Sequence, residues 1–187
     1  MALLKMPQVS SLFAELLPHA DIEIFVKPEW GANVAGSGPL IKAKLQELAQ
    51  QTKAFKSSVS HNPSLGGFAL LRCQGDLSNK AIGFDTEEKL RIKPEIARRV
   101  CESAAEYEAA PSAAALWCAK EAAFKSMRGP YQPKVLPFIE VSGWKKDSHF
   151  ETFVARPRHN FEFLKTFGVT WNKDSYQFAI ACCLTHF

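Results

Sequence analysis

No stretch of this 187-residue chain approaches the roughly 20 consecutive apolar residues that a helix needs to cross a bilayer. The opening segment Met1-Ala2-Leu3-Leu4-Lys5-Met6-Pro7 is broken by Lys5 and Pro7 before any signal-like core develops, so a soluble, cytoplasmic protein with no membrane partner is expected. Cysteine is unpatterned: Cys73, Cys101, Cys118, Cys182 and Cys183 are odd in number and lack a CxxC spacing. Neither a disulfide framework nor a zinc site follows, and reduced, structural thiols are expected. His159 and His186 likewise give no usable metal spacing. A strong excess of one charge is missing too, because the net charge of +4 is too small to identify a partner. No stripe combining lysine or arginine with exposed aromatics is apparent, which argues against a nucleic-acid-binding module.

What is present suits a globular protein. With 187 residues, 47% of them hydrophobic, the chain can build one substantial core or two small ones sharing an interface. Gln8 to Leu17 reads as a short helix stopped by Pro18, and Ile22 to Val26 alternates as a strand. Pro28 to Pro39 reads as loop. Pro39 to Gln51 reads as a helix with Leu40, Ile41, Ala43, Leu45, Leu48 and Ala49 as its apolar stripe. Strands are expected over Phe55 to Ser60 and Gly67 to Cys73, joined by a turn at Pro63 to Gly66, which puts His61 at a strand end. A further strand over Lys80 to Phe84 leads to helices from Pro94 to about Ala105 and from Pro111 to Ser126, the latter ended by Gly129-Pro130. Phe138 to Val141, Phe150 to Arg156 and Tyr176 to Leu184 read as three strands, and Phe161, Phe163 and Phe167 as core aromatics. The fold class is therefore α+β, with unequal subdomains over about 1–75 and 76–187, each a small sheet covered by helices.

Two strings carry chemistry. In Gly83-Phe84-Asp85-Thr86-Glu87, Asp85 and Glu87 project to the same side of an extended chain, as a metal pair would. In Trp117-Cys118-Ala119-Lys120-Glu121-Ala122-Ala123-Phe124-Lys125, Trp117, Glu121 and Lys125 fall one helical turn apart on one face. Three carboxylates and two lysines so arranged can hold a divalent cation and a diphosphate together. Each string alone also has an ordinary explanation, as solvated acids or as a surface i,i+4 pair worth about 0.3–0.5 kcal/mol.

Together these strings resemble the paired motifs of the 4'-phosphopantetheinyl transferase superfamily, G-[IV]-D-x-E followed by W-x-x-K-E-[AS]-x-x-K. Upstream, Ser58-Val59-Ser60-His61-Asn62 and Gly66-Gly67-Phe68-Ala69 resemble the S-x-S-H-S segment of the surfactin-synthetase-activating branch. Between the main motifs, Arg98-Arg99-Val100 and Glu106-Tyr107 resemble that branch's R-[FR]-F-x-x-x-E-Y stretch. The resemblance covers about residues 55 to 128. Phe84 stands where Ile or Val is usual and Asn62 where Ser or Thr is usual, neither a proposed ligand. The chain is shorter than a typical member of the branch, which implies that one half of the pseudo-dimer is trimmed.

The resemblance implies a pseudo-dimer of two sheet-plus-helix subdomains that binds coenzyme A in the cleft between them and transfers its phosphopantetheine arm to a serine of an apo acyl or peptidyl carrier protein. It implies Mg²⁺ held by Asp85, Glu87 and Glu121, a catalytic set of Asp85, Glu121 and Lys125, and a diphosphate held by Lys125 and Lys120. Ser60 and His61 would bind a phosphate from the first half. Lys42, Lys44, Lys53 and Lys56 form the densest basic cluster before the motifs; most of it reads as a solvated helix face, and Lys42 and Lys44 are candidates for the 3'-phosphate of coenzyme A. Either Glu121 or a metal-bound water can accept the serine proton. A single working chain is expected, as in that branch. The rival readings are a catalytically silent relative that binds coenzyme A or a carrier domain, and a nucleic-acid-binding module.

Overall fold

The computed structural model describes residues 2–4, 7–14, 17, 19–51, 54–73, 75–127, 132–158 and 164–184. Lys5, Pro18, Lys53, Gly129, Pro130, His159, Phe161, Phe163 and His186 lie outside the described residues. The chain is a mixed α+β structure with two antiparallel sheets. The first contains β1 (Ala2–Leu4), β2 (Ala20–Lys27), β3 (Lys56–His61) and β4 (Gly66–Cys73) in the order β1-β2-β4-β3. The second contains β5 (Lys80–Glu88), β6 (Ile139–Asp147), β7 (Phe150–Pro157), β8 (Lys165–Lys173) and β9 (Tyr176–Leu184) in the order β5-β9-β8-β7-β6. The helices are α1 (Pro7–Leu12), α2 (Ser37–Gln51), α3 (Pro94–Arg99), α4 (Ala104–Glu108) and α5 (Ala113–Ser126).

Strand periodicity explains the layering. On β2 and β4, Ile22, Ile24, Val26, Ala69 and Leu71 face a core shared with Ile82, Phe84, Val169, Trp171, Phe178, Ile180 and Cys182 of the second sheet. The alternate residues Phe25, Phe68 and Leu70 pack with Ile41 and Leu48 of α2 and with Trp30. On the far side of the second sheet, Ala179, Ala181 and Cys183 meet Leu116, Cys118, Ala119, Ala122 and Ala123 of α5. Both sheets are thus covered on both faces, and their inner strands read as near-continuous apolar runs such as Gly67-Phe68-Ala69-Leu70-Leu71.

Several sequence-based boundaries change. The α2 stripe narrows to Ile41, Leu45 and Leu48, spaced by four and three; Leu40 is 49% exposed, and Ala43 and Ala49 face solvent. The single helix expected from Pro94 to Ala105 breaks in two. Ser103 caps α4 by accepting a hydrogen bond from Glu106 N at 3.2 Å, a Ser-x-x-Glu start signal inside the expected helix. Strand β8 was not expected, although Phe167-Gly168-Val169-Thr170-Trp171 is rich in β-formers and ends at a two-residue turn with Asp174 in the left-handed region (φ 54°). All five cysteines are free thiols. Among the described residues, no helix is long and apolar enough to cross a membrane.

Candidate functional site

Strands β3 and β5 are terminal strands of their sheets, and side chains serve the backbone of β5 beyond its pairing with β9. Phe84 N donates to Ser58 Oγ at 2.9 Å, and Phe84 O accepts from Lys125 Nζ at 3.2 Å. The same alternation that sends Ile82 and Phe84 into the shared core turns Gly83, Asp85 and Glu87 toward the other face. At Gly83 the helix α5 comes so close that a Cβ would lie 1.8 Å from Ala122 O. Only glycine permits that approach, and the approach brings the Asp85 carboxylate to Lys125.

Helix α5 is built for close packing. Ser112 caps it by accepting from Ala115 N at 3.0 Å, and its buried side is largely alanine, which favours helix and allows a short distance to the sheet. Trp117, Glu121 and Lys125 form its half-buried edge. With Ala32, Val59, Ser60, His61, Asn62, Pro63, Asp85, Thr86, Glu87 and Arg91 they line one cleft of about 520 Å³, within the range of ligand pockets.

Asp85 is 5% exposed and forms the floor of this cleft. Its Oδ1 accepts from Lys125 Nζ at 2.7 Å and from Ser60 Oγ at 2.7 Å. Lys125 also donates to Ser60 Oγ at 3.2 Å. Asp85 Oδ2 is buried without a hydrogen-bond partner among the described residues, a costly state for a carboxylate oxygen unless a ligand completes it. Burial pushes the Glu121 carboxyl above its ordinary range; neighbouring Asp85 adds to that and Lys125 opposes it. Burial also pushes Glu87 upward, offset by Arg91 and reinforced by Asp85. Arg91 Nη1 reaches Glu87 Oε1 at 2.9 Å and Oε2 at 3.3 Å.

Three carboxylates therefore crowd one cleft, opposed by two cations. Among the described residues, no three acidic, imidazole or thiol groups are gathered closely enough to hold a metal ion as they stand. The donor set nevertheless suits a hard cation: its ligands would be carboxylate oxygens, one of them an orphaned oxygen of Asp85, with the remaining positions left to water and substrate.

The structure brings Asp85, Glu87, Glu121, Lys125, Ser60 and His61 to the cleft. It corrects three placements. Lys120 is fully buried beneath the helix, 2.7 Å from Glu106 Oε1 and bonded to Ile139 O, so it has no ammonium to offer a diphosphate. Lys42 and Lys44 lie on α2 and are not among the residues that line the cleft, Lys42 exposed and Lys44 paired with Glu47 at 2.6 Å. Ser60 spends its one proton on Asp85 and so supports that carboxylate rather than donating to a phosphate.

Sequence reasoning missed Arg91, Ser58 and the network around Glu106. Arg91 comes back to Glu87 because the short turn Lys89–Arg91 ends β5, a bend that the strand period does not announce. Glu106 accepts from Val141 N at 2.9 Å, from Arg158 Nη2 at 2.9 Å and from Lys120, which ties α4, α5 and β6 together. Nothing in the local sequence announces that meeting. Asn62, the departure from the motif, is 2% exposed, and its Oδ1 accepts from Leu65 N at 2.9 Å and Ser64 N at 3.1 Å, holding the β3–β4 turn.

A sequence model of the 4'-phosphopantetheinyl transferase superfamily matches residues 81–182. That span runs through β5, the three helices α3 to α5 and most of β9, and so contains both strings that form the cleft floor and its helical wall. No curated protein matches the chain.

Proposed function

This chain belongs to the 4'-phosphopantetheinyl transferase superfamily, and from that premise we propose that it moves the phosphopantetheine arm of coenzyme A onto a serine of an apo acyl or peptidyl carrier protein, with Mg²⁺ as cofactor. The observation that carries this reading is the meeting of Asp85, from β5, with Glu121 and Lys125, from α5, at one cleft beside His61. In this reading the two halves, 1–75 and 76–187, act as a pseudo-dimer of the surfactin-synthetase-activating type, working as a single cytoplasmic chain.

The reaction joins two anionic partners. The carrier serine oxygen attacks the β-phosphorus of coenzyme A, the bond from that phosphorus to the oxygen of 3',5'-ADP breaks, and the serine proton must leave. Bound Mg²⁺ would supply charge neutralisation at the diphosphate, with Asp85, Glu87 and Glu121 as its protein ligands. Lys125 would hold the diphosphate once released from Asp85. Glu121, which lines the cleft beside Asp85, would accept the serine proton. His61, exposed at the end of β3, would meet a phosphate from the first half.

Incubating the protein with Mg²⁺, coenzyme A and apo carrier proteins of fatty-acid, polyketide and peptide synthesis tests the reading. Intact mass spectra are expected to show one phosphopantetheinyl group added to at least one carrier, and none in the presence of a chelator. If no carrier is modified while coenzyme A still binds, the silent-relative reading replaces this one.

A further inference from the structure

Two cations line the cleft among the described residues, and each sits on a carboxylate of the same cleft: Lys125 on Asp85 and Arg91 on Glu87. The pairs differ in how firmly they are held. The Lys125–Asp85 pair is largely enclosed and braced by Ser60, with 27% and 7% of its side chains exposed. The Arg91–Glu87 pair is open on its arginine side, where 47% of the side chain meets solvent. Arg91 closes a short helical turn, Lys89–Arg91, whose middle residue Leu90 is 91% exposed, so little packing restrains the arginine arm. An ion pair open to solvent on one side is weak and cheaply exchanged. A guanidinium presents a fork of donors that matches phosphate as well as carboxylate oxygens, and here a single nitrogen, Nη1, makes both bonds to Glu87.

We propose that Arg91 is a phosphate-binding residue of this site, held in reserve on Glu87, so that a divalent cation taking Glu87 and the diphosphate of coenzyme A taking Arg91 each release the other's partner. The inference rests on the transferase reading and adds a consequence to it. Without ligands, Glu87 and Arg91 neutralise one another. A cation bound at Glu87 frees the guanidinium, and a polyphosphate bound at Arg91 frees the carboxylate. Each ligand therefore removes a cost from the other, and the coupling must be equal in both directions.

Calorimetric titration without any carrier protein tests this, with Mg²⁺ alone, coenzyme A alone, and coenzyme A in saturating Mg²⁺. In the wild type, Mg²⁺ is expected to tighten coenzyme A binding by about fivefold or more. Arg91→Gln is expected to weaken coenzyme A in Mg²⁺ by about tenfold, while Mg²⁺ alone binds more tightly because Glu87 is unmasked. Glu87→Gln is expected to do the reverse: coenzyme A alone binds more tightly than to wild type, and the enhancement by Mg²⁺ shrinks. These opposite signs separate a ligand exchange from a structural role, in which Arg91→Gln would weaken both ligands. Weakening of both, or unchanged coenzyme A affinity in Mg²⁺ for Arg91→Gln, overturns the inference alone. A wild type that binds no coenzyme A under any condition overturns the transferase reading and this inference with it.

Discussion

Asp85 concentrates the conflict in this cleft: one of its oxygens is engaged by Lys125 and Ser60, the other is buried with no partner among the described residues. Asp85→Ala is expected to abolish transfer while circular dichroism and the thermal midpoint show a folded protein. Glu121 carries a different signature. Its carboxyl binds a proton more tightly in the folded chain than in the unfolded one, so the ionised form is the destabilising form. The stability penalty is absent at low pH, where both states are protonated, and grows as pH rises from the ordinary glutamate value toward the raised folded one. Glu121→Gln should therefore raise the thermal midpoint at neutral pH and lose that advantage as pH falls to about 4. The same substitution should remove transfer, so stability and activity move in opposite directions, as at a site whose groups are crowded for function.

Helix α5 and strand β5 act as one unit because Gly83 lets them touch. A methyl group there would meet the Ala122 backbone rather than a movable side chain. Gly83→Ala is expected to cost about 1–3 kcal/mol or more in chemical denaturation, and to reduce transfer further by shifting Lys125 from Asp85. Near its middle, α5 is also anchored by Lys120, whose ammonium is pushed below its ordinary range by burial, with Glu106 opposing that shift. Removing Glu106 leaves a buried charge without its carboxylate. Glu106→Ala should cost about 3–5 kcal/mol, and the double variant Glu106→Leu, Lys120→Met should recover much of the loss in the same denaturation measurement. These two lysines sit in one motif and have opposite fates. Lys125 follows Glu121 by a full turn and shares its face, whereas Lys120 falls on the side buried between α4 and β6.

Across the whole molecule, the core between the sheets draws side chains from strands on both sides of residue 75. Ile24 and Ile82 belong to that same cluster, and neither sheet can hide its inner face without the other. Unfolding is therefore expected to be a single cooperative transition, with calorimetric and van't Hoff enthalpies in agreement. Ile82→Ala should lower stability by about 2–5 kcal/mol without splitting that transition. The cleft lies where β3 of one sheet meets β5 of the other, so loosening this core would loosen the site as well.

Strand and helix periods pair Asp85 with Glu87 and Glu121 with Lys125, but it was the resemblance to the paired family motifs that joined the two strings into one site, since each alone also reads as ordinary surface charge. Most strands and the long helices were legible because local alternation and capping are written along the chain. The break between α3 and α4 was written too, in Ser103 and Glu106, but was masked by the strong helical pattern around it. What the chain alone could not decide were matters of distance between segments far apart in sequence. That Lys120 meets Glu106, that Ser60 serves Asp85, and that Arg91 shares the cleft with Lys125 all depend on how the chain packs in three dimensions. Sequence determines which side of an element a residue occupies through the helical and strand periods. Only the tertiary packing decides what that side faces, because long-range burial, rather than local propensity, selects each residue's partners.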